Sequence, residues 1–119
     1  MRIDWLEPFG AVVKGFSGGA EDRAALPWII ARNRVVVLRN GASDDAALVS
    51  LLGGLGEPLF TLGETAVPTA PQLNIVSNVG RKAPPRSVFH TDTSYVVQPP
   101  AFTALLAVVA CWGRRNAVL

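Results

Sequence analysis

Between Gly10 and the Ser17-Gly18-Gly19 turn, residues 11–16 include the apolar Ala11, Val12, Val13 and Phe16, which predicts a short strand. Residues 21–32 carry Ala25, Leu26, Ile29 and Ile30 at helical spacing and predict an amphipathic helix, with Pro27 marking where the helix proper starts. The apolar run 35–38 fits a buried strand. Ser43 is a good N-cap for a helix from Asp44, where Asp44 and Asp45 meet the positive end of the helix dipole and Leu48, Leu51, Leu52 and Leu55 form the apolar stripe. Residues 61–72, with Pro68 and Pro71, read as a long loop. Beyond it, 73–79 predicts a strand, a polar loop with Arg81-Lys82 and Pro84-Pro85 follows, and His90 falls at a strand end before another strand at 101–109. Helices are expected to dominate the first half and strands the second, and the fold class is mixed α+β.

Composition narrows the partners. The 119 residues, half of them apolar, suffice for one small domain or part of one. A net charge of +2 with scattered basic residues gives no footprint for nucleic acid, and the clusters Arg81-Lys82-Arg86 and Arg114-Arg115 read as solvated loops. The single cysteine, Cys111, cannot form an internal disulfide, which favours a reducing compartment. Asp4 and Glu7 stand where a secretory signal would need a basic start and an apolar core. The longest apolar stretch, 101–112, falls short of the roughly 18–20 residues of a membrane span. A cytoplasmic protein without a membrane partner is the expectation.

The chemistry concentrates at the one histidine. His90 precedes Asp92 by two residues, and in an extended strand side chains at i and i+2 share a face, so imidazole and carboxylate can reach one metal ion. Two histidines and one carboxylate make the facial triad of non-haem iron(II) oxygenases, and this chain holds only one of those histidines. The competing reading is a plain hydrogen bond between His90 and Asp92 or a strand-end cap.

The surroundings of the pair add weight. Phe89-His90-Thr91-Asp92-Thr93-Ser94-Tyr95, then Pro99-Pro100 and Thr103-Ala104-Leu105-Leu106-Ala107, resemble the metal-binding segment of the taurine dioxygenase (TauD/TfdA) family. That segment has an aromatic residue before the H-x-D, a hydroxyl-bearing or aromatic pair after it, a Pro-Pro step and an apolar strand. Upstream, Gly10-Ala11-Val12-Val13 is similar to the opening strand of the family, and Arg34-Val35-Val36-Val37-Leu38-Arg39 to its strand ending in arginine. Residues 47–58, closing in Leu55-Gly56-Glu57-Pro58, are similar to its helix, and Leu73-Asn74-Ile75-Val76-Ser77-Asn78 to the strand before the metal loop. The resemblance covers about residues 10–108.

It implies an incomplete double-stranded β-helix, or jelly roll, with flanking helices. It also implies an Fe(II)- and 2-oxoglutarate-dependent dioxygenase acting with molecular oxygen on a small organic substrate, with succinate as coproduct. His90 and Asp92 would be iron ligands. Arg86 would face an acidic group of the substrate, against the alternative of a solvent-exposed loop arginine. Asn78 fits a strand-end role better than ligand contact, and Trp5, Trp28 and Phe60 fit packing better than a substrate cage.

The resemblance stops at the C-terminus. Similar enzymes continue into a glycine-rich turn whose threonine contacts 2-oxoglutarate, and then to a distal histidine and a carboxylate-binding arginine. Here the sequence reads Val109-Ala110-Cys111-Trp112-Gly113-Arg114-Arg115-Asn116-Ala117-Val118-Leu119. Codons permitted by residues 110–119 give, one nucleotide downstream, the peptide Pro-Ala-Gly-Gly-Asp-Ala-Thr-Leu-Phe, close to that turn. The expectation is therefore a dioxygenase N-terminal part over 1–108 and a frameshifted, unrelated tail over 109–119, inactive alone. The alternative is a non-catalytic fragment that self-associates as a homo-oligomer.

Overall fold

The computed structural model describes residues 1–59, 65–77 and 88–108. Strand β2 (Ala11–Lys14) is the centre of a three-stranded sheet, between β1 (Arg2–Trp5) and β3 (Val36–Leu38). β1 runs antiparallel to β2, from Arg2 opposite Lys14 to Trp5 opposite Ala11, and β3 runs parallel to it, from Ala11 opposite Val36 to Val13 opposite Leu38. Parallel neighbours need a crossover, and helix α1 (Ala20–Asn33) supplies it. Helix α2 (Asp45–Gly53) follows, and β4 (Ala66–Val67) and β5 (Ala70–Asn74) pair as a separate antiparallel ribbon. The class is mixed α+β, as expected.

The period-2 geometry of β2 turns Ala11 and Val13 to the same face, and both are fully buried there. Phe16, Leu26, Ile29 and Leu51 close the core over them, with Ile3, Ala25, Ile30, Val36, Leu38 and Leu55 packed at its margin. Gly10 enters β2 at φ 105°, where an L side chain is strained. Arg23 joins the two helices: its Nε donates to the Gly18 carbonyl at 2.6 Å, Nη1 to the Ser50 carbonyl at 2.7 Å and Nη2 to Ser50 Oγ at 3.2 Å.

Several expectations are corrected. β1 was not foreseen, because its four residues gain strand structure only by pairing with β2; Asp4 then accepts from Arg2 Nε at 2.7 Å and from Lys14 Nζ across the ladder at 2.8 Å. Helix α1 starts seven residues before Pro27 and runs through it. Proline there removes one backbone hydrogen bond, yet Leu26 and Ile29 on either side are almost wholly buried, and that burial outweighs the loss. The cap of α2 is Asp44 rather than Ser43: Asp44 Oδ1 accepts from the Ala47 N–H at 2.8 Å, and Ser43 Oγ donates to Asp44 Oδ2 at 2.9 Å. The expected loop 61–72 holds β4 and the start of β5, whose Pro71 is tolerated on a two-stranded ribbon that leaves one edge free.

The expected strand 73–79 contributes only Leu73 and Asn74 to β5, although the Ile75 N–H still reaches the Thr65 carbonyl at 2.8 Å. Residues 88–108 contain no strand, so neither the strand end at His90 nor the strand at 101–108 forms. A strand exists by virtue of a hydrogen-bonded neighbour, and nothing described pairs with this segment. Among the described residues both helices do lie in the first half, but so do three of the five strands. No helix among the described residues is long and apolar enough to cross a membrane.

Candidate metal centre

His90 and Asp92 meet across the start of a turn rather than along a strand. Residues 92–95 form that turn, closed by the Val96 N–H on the Thr93 carbonyl at 3.1 Å. Thr93 takes φ 50°, a left-handed conformation uncommon for a β-branched residue, and its Oγ1 is buried with no hydrogen-bond partner among the described residues. Backbone held this way beside polar side chains is characteristic of ligand sites.

Two contacts orient the imidazole. Nδ1 lies 2.7 Å from the Val88 carbonyl oxygen, which can only accept, so Nδ1 carries a proton and donates it. Nε2 lies 3.0 Å from Asp92 Oδ1. The Val88 carbonyl first, and then the Asp92 carboxylate, raise the imidazole above its ordinary pKa of 6.5. Metal-free, the pair is therefore drawn toward an imidazolium and a carboxylate sharing the Nε2 proton. Both side chains are more than half exposed, at 62% and 53%, so solvent screens this pair and leaves it open to a ligand.

The same arrangement fits a metal ion. A histidine ligand commonly donates its other ring N–H to a backbone carbonyl, which fixes the tautomer and aims the free nitrogen, and Val88 provides that carbonyl. Ligands about 2.1 Å from an ion and at right angles to each other stand about 3.0 Å apart, the separation found between Nε2 and Oδ1. The two donor atoms thus already stand at the separation that an ion holding both would need. Among the described residues no third His, Cys, Asp or Glu joins them.

The structure thus brings together the two residues singled out as ligands. Arg86 lies outside the described residues, as do Asn78, Phe60 and the tail 109–119. Trp5 and Trp28 are more than half exposed, and the Arg32 guanidinium sits 5.6 Å from the Trp28 ring centroid, a cation–π contact at the surface. Two open clefts, one of about 280 Å³ beside Arg23 and Ser50 and one of about 510 Å³ beside Trp5 and Phe9, contain neither His90 nor Asp92. Sequence reasoning missed the Val88 carbonyl, since the direction of a backbone oxygen is not written in side-chain identity.

No curated protein and no solved structure matches this chain. The model of one family does, over residues 4–111, and that span takes in β2, β3, both described helices, the buried core residues and the His90–Asp92 pair. By that match the chain belongs to the Taurine catabolism dioxygenase TauD, TfdA family.

Proposed function

We propose that this chain is part of an Fe(II)- and 2-oxoglutarate-dependent dioxygenase that hydroxylates a small, acidic organic substrate, with His90 and Asp92 as two of the iron ligands. The observation that carries the reading is the 3.0 Å approach of Nε2 and Oδ1 with Nδ1 committed to Val88, inside a chain of this family. When bound, iron would activate molecular oxygen, the oxidant, and 2-oxoglutarate would supply the further two electrons by conversion to succinate and carbon dioxide, so that one oxygen atom can enter a C–H bond. The contributions of the chain itself are more modest. His90 gives up the Nε2 proton to solvent and presents the freed lone pair, Asp92 supplies one negative charge, and the Val88 carbonyl keeps the ring from turning. Arg86 is assigned to the acidic group of the substrate, as a forked donor suited to a carboxylate or sulfonate.

On this reading the observed sheets and helices belong to the N-terminal part of a jelly roll over residues 1–108, and 109–119 is a frameshifted tail. A cytoplasmic location goes with it. A second reading, a non-catalytic fragment, is favoured by one observation: the two donors are exposed and have no third partner among the described residues. Fe(II) affinity and oligomeric state separate the two. Fe(II) binding that is strengthened by 2-oxoglutarate and lost in His90→Ala supports the dioxygenase reading, and metal-independent folding as a dimer that leaves Fe(II) unbound supports the fragment.

A further inference from the structure

The hairpin that joins β1 to β2 and the last turn of α1 line the open cleft of about 510 Å³. The Leu6 N–H donates to the Gly10 carbonyl at 3.0 Å and closes the hairpin, leaving Glu7, Pro8 and Phe9 as its tip. Trp5, Leu6 and Phe9 are 55%, 45% and 60% exposed, outside the buried core. Two opposite charges line the same cleft, Glu7 from the hairpin and Arg32 from the helix. Both are exposed, and neither forms an ion pair or hydrogen bond among the described residues. The Arg32 guanidinium is instead braced over the Trp28 ring, 5.6 Å from its centroid.

An exposed apolar surface of this kind gains free energy when it is covered, and the charges indicate by what. A carboxylate and a guanidinium side by side nearly cancel, so the cleft favours neither a polyanion nor a polycation. It is complementary to its own image. A twofold axis passing between Glu7 and Arg32 sets each charge against the opposite charge of a second copy. We propose that two copies of this chain pair through this cleft, Glu7 of each against Arg32 of the other, with Trp5, Leu6 and Phe9 covered between them. Aromatic side chains of roughly 150–250 Å² at this exposure fall short of the roughly 800 Å² per partner of a standard interface, so the pairing is reversible and concentration-dependent. Neither His90 nor Asp92 lines the cleft, and the pairing is independent of the ligand assignment.

The test is sedimentation velocity over a wide range of concentration, on the unmodified 119-residue chain, Glu7→Arg, Arg32→Glu and an equimolar mixture of the two variants. The unmodified chain is expected to pass from monomer to dimer as concentration rises. Each reversal alone should raise the dissociation constant at least about tenfold, with the circular dichroism spectrum unchanged. The mixture should restore the dimer, because one variant then carries two cations in the cleft and the other two anions. A monomer at every concentration overturns the proposal. So does a dimer that neither reversal weakens, or a mixture that sediments as the sum of its separate variants. Fe(II) binding by the same samples tests the ligand assignment separately.

Discussion

Nδ1 of His90 donates to the carbonyl oxygen of Val88, two residues earlier, at 2.7 Å. This one bond decides which ring nitrogen is left for Asp92 or for a metal. Because the chain has a single histidine, the tautomer can be read without ambiguity. In two-dimensional ¹⁵N–¹H spectra of the metal-free chain above the His90 pKa, Nδ1 is expected to appear protonated and Nε2 bare. The opposite tautomer would remove the basis for metal ligation through Nε2.

The pH dependence has two opposed parts. Asp4, Asp22 and Asp44 lie below the ordinary carboxylate value of 3.8 in the folded chain. Lys14 and then Arg2 lower Asp4, the Ser17 N–H and then its hydroxyl lower Asp22, and the Ala47 N–H and then the Ser43 hydroxyl lower Asp44. Their stabilisation is complete above the unfolded value and is lost as pH falls through the depressed folded values. His90 has the other sign: raised above 6.5, it contributes fully below that value and loses its contribution as pH rises through its folded pKa. Thermal melts from about pH 3 to about pH 8 should therefore show acid loss below about pH 4, and only a slight decline above 6.5, because the pair is exposed.

Metal affinity should follow the same proton. Below the folded pKa of His90, binding displaces one proton from Nε2, so the apparent Co(II) affinity should rise about tenfold per pH unit and level off above that pKa. Calorimetric titrations in buffers of different ionisation enthalpy would read the released proton directly. A pH-independent affinity would count against His90 as a ligand.

Arg23 holds α1 to α2 through two hydrogen bonds donated to Ser50 and ties the preceding turn through a third to the Gly18 carbonyl. Arg23→Ala is expected to lower stability by about 1–3 kcal/mol in urea unfolding, and Arg23→Lys to recover little of it, because an ammonium cannot match the fork. Gly41 makes an independent packing check. A Cβ there would fall 2.6 Å from Leu38 Cβ, so Gly41→Ala should cost about 1–3 kcal/mol through overpacking.

Ile29 and Trp28 are sequence neighbours with opposite exposure, 1% against 58%. Ile29→Ala should destabilise by about 2–5 kcal/mol, whereas Trp28→Ala should cost less than about 1 kcal/mol, chiefly the contact with Arg32. Equal costs would mean that Trp28 is covered in solution.

What was legible in the sequence follows from what makes each element. β2 and β3 could be read from their apolar, β-branched runs, and α2 from Leu48 and Leu51, because burial selects those residues directly. β1 could not, since Arg2, Asp4 and Lys14 record a pairing across strands rather than a local pattern. The start of α1 was hidden by Pro27, where tertiary burial of Leu26 and Ile29 overrides a local breaker. The apolar run 101–108 carries strand composition, but no partner pairs with it among the described residues, and it forms no strand there. At the site, the spacing of His90 and Asp92 gave their proximity, but for a reason other than the one expected. A turn with Thr93 in the left-handed region brings them together, where a shared strand face was anticipated.

The most direct test of the central claim, that His90 and Asp92 together hold the iron, is anaerobic equilibrium dialysis of Fe(II) against the unmodified chain, His90→Ala and Asp92→Ala. Saturable binding by the unmodified chain, weakened at least about tenfold by each substitution with the fold retained, is the predicted result. Equal Fe(II) retention by all three chains would contradict it.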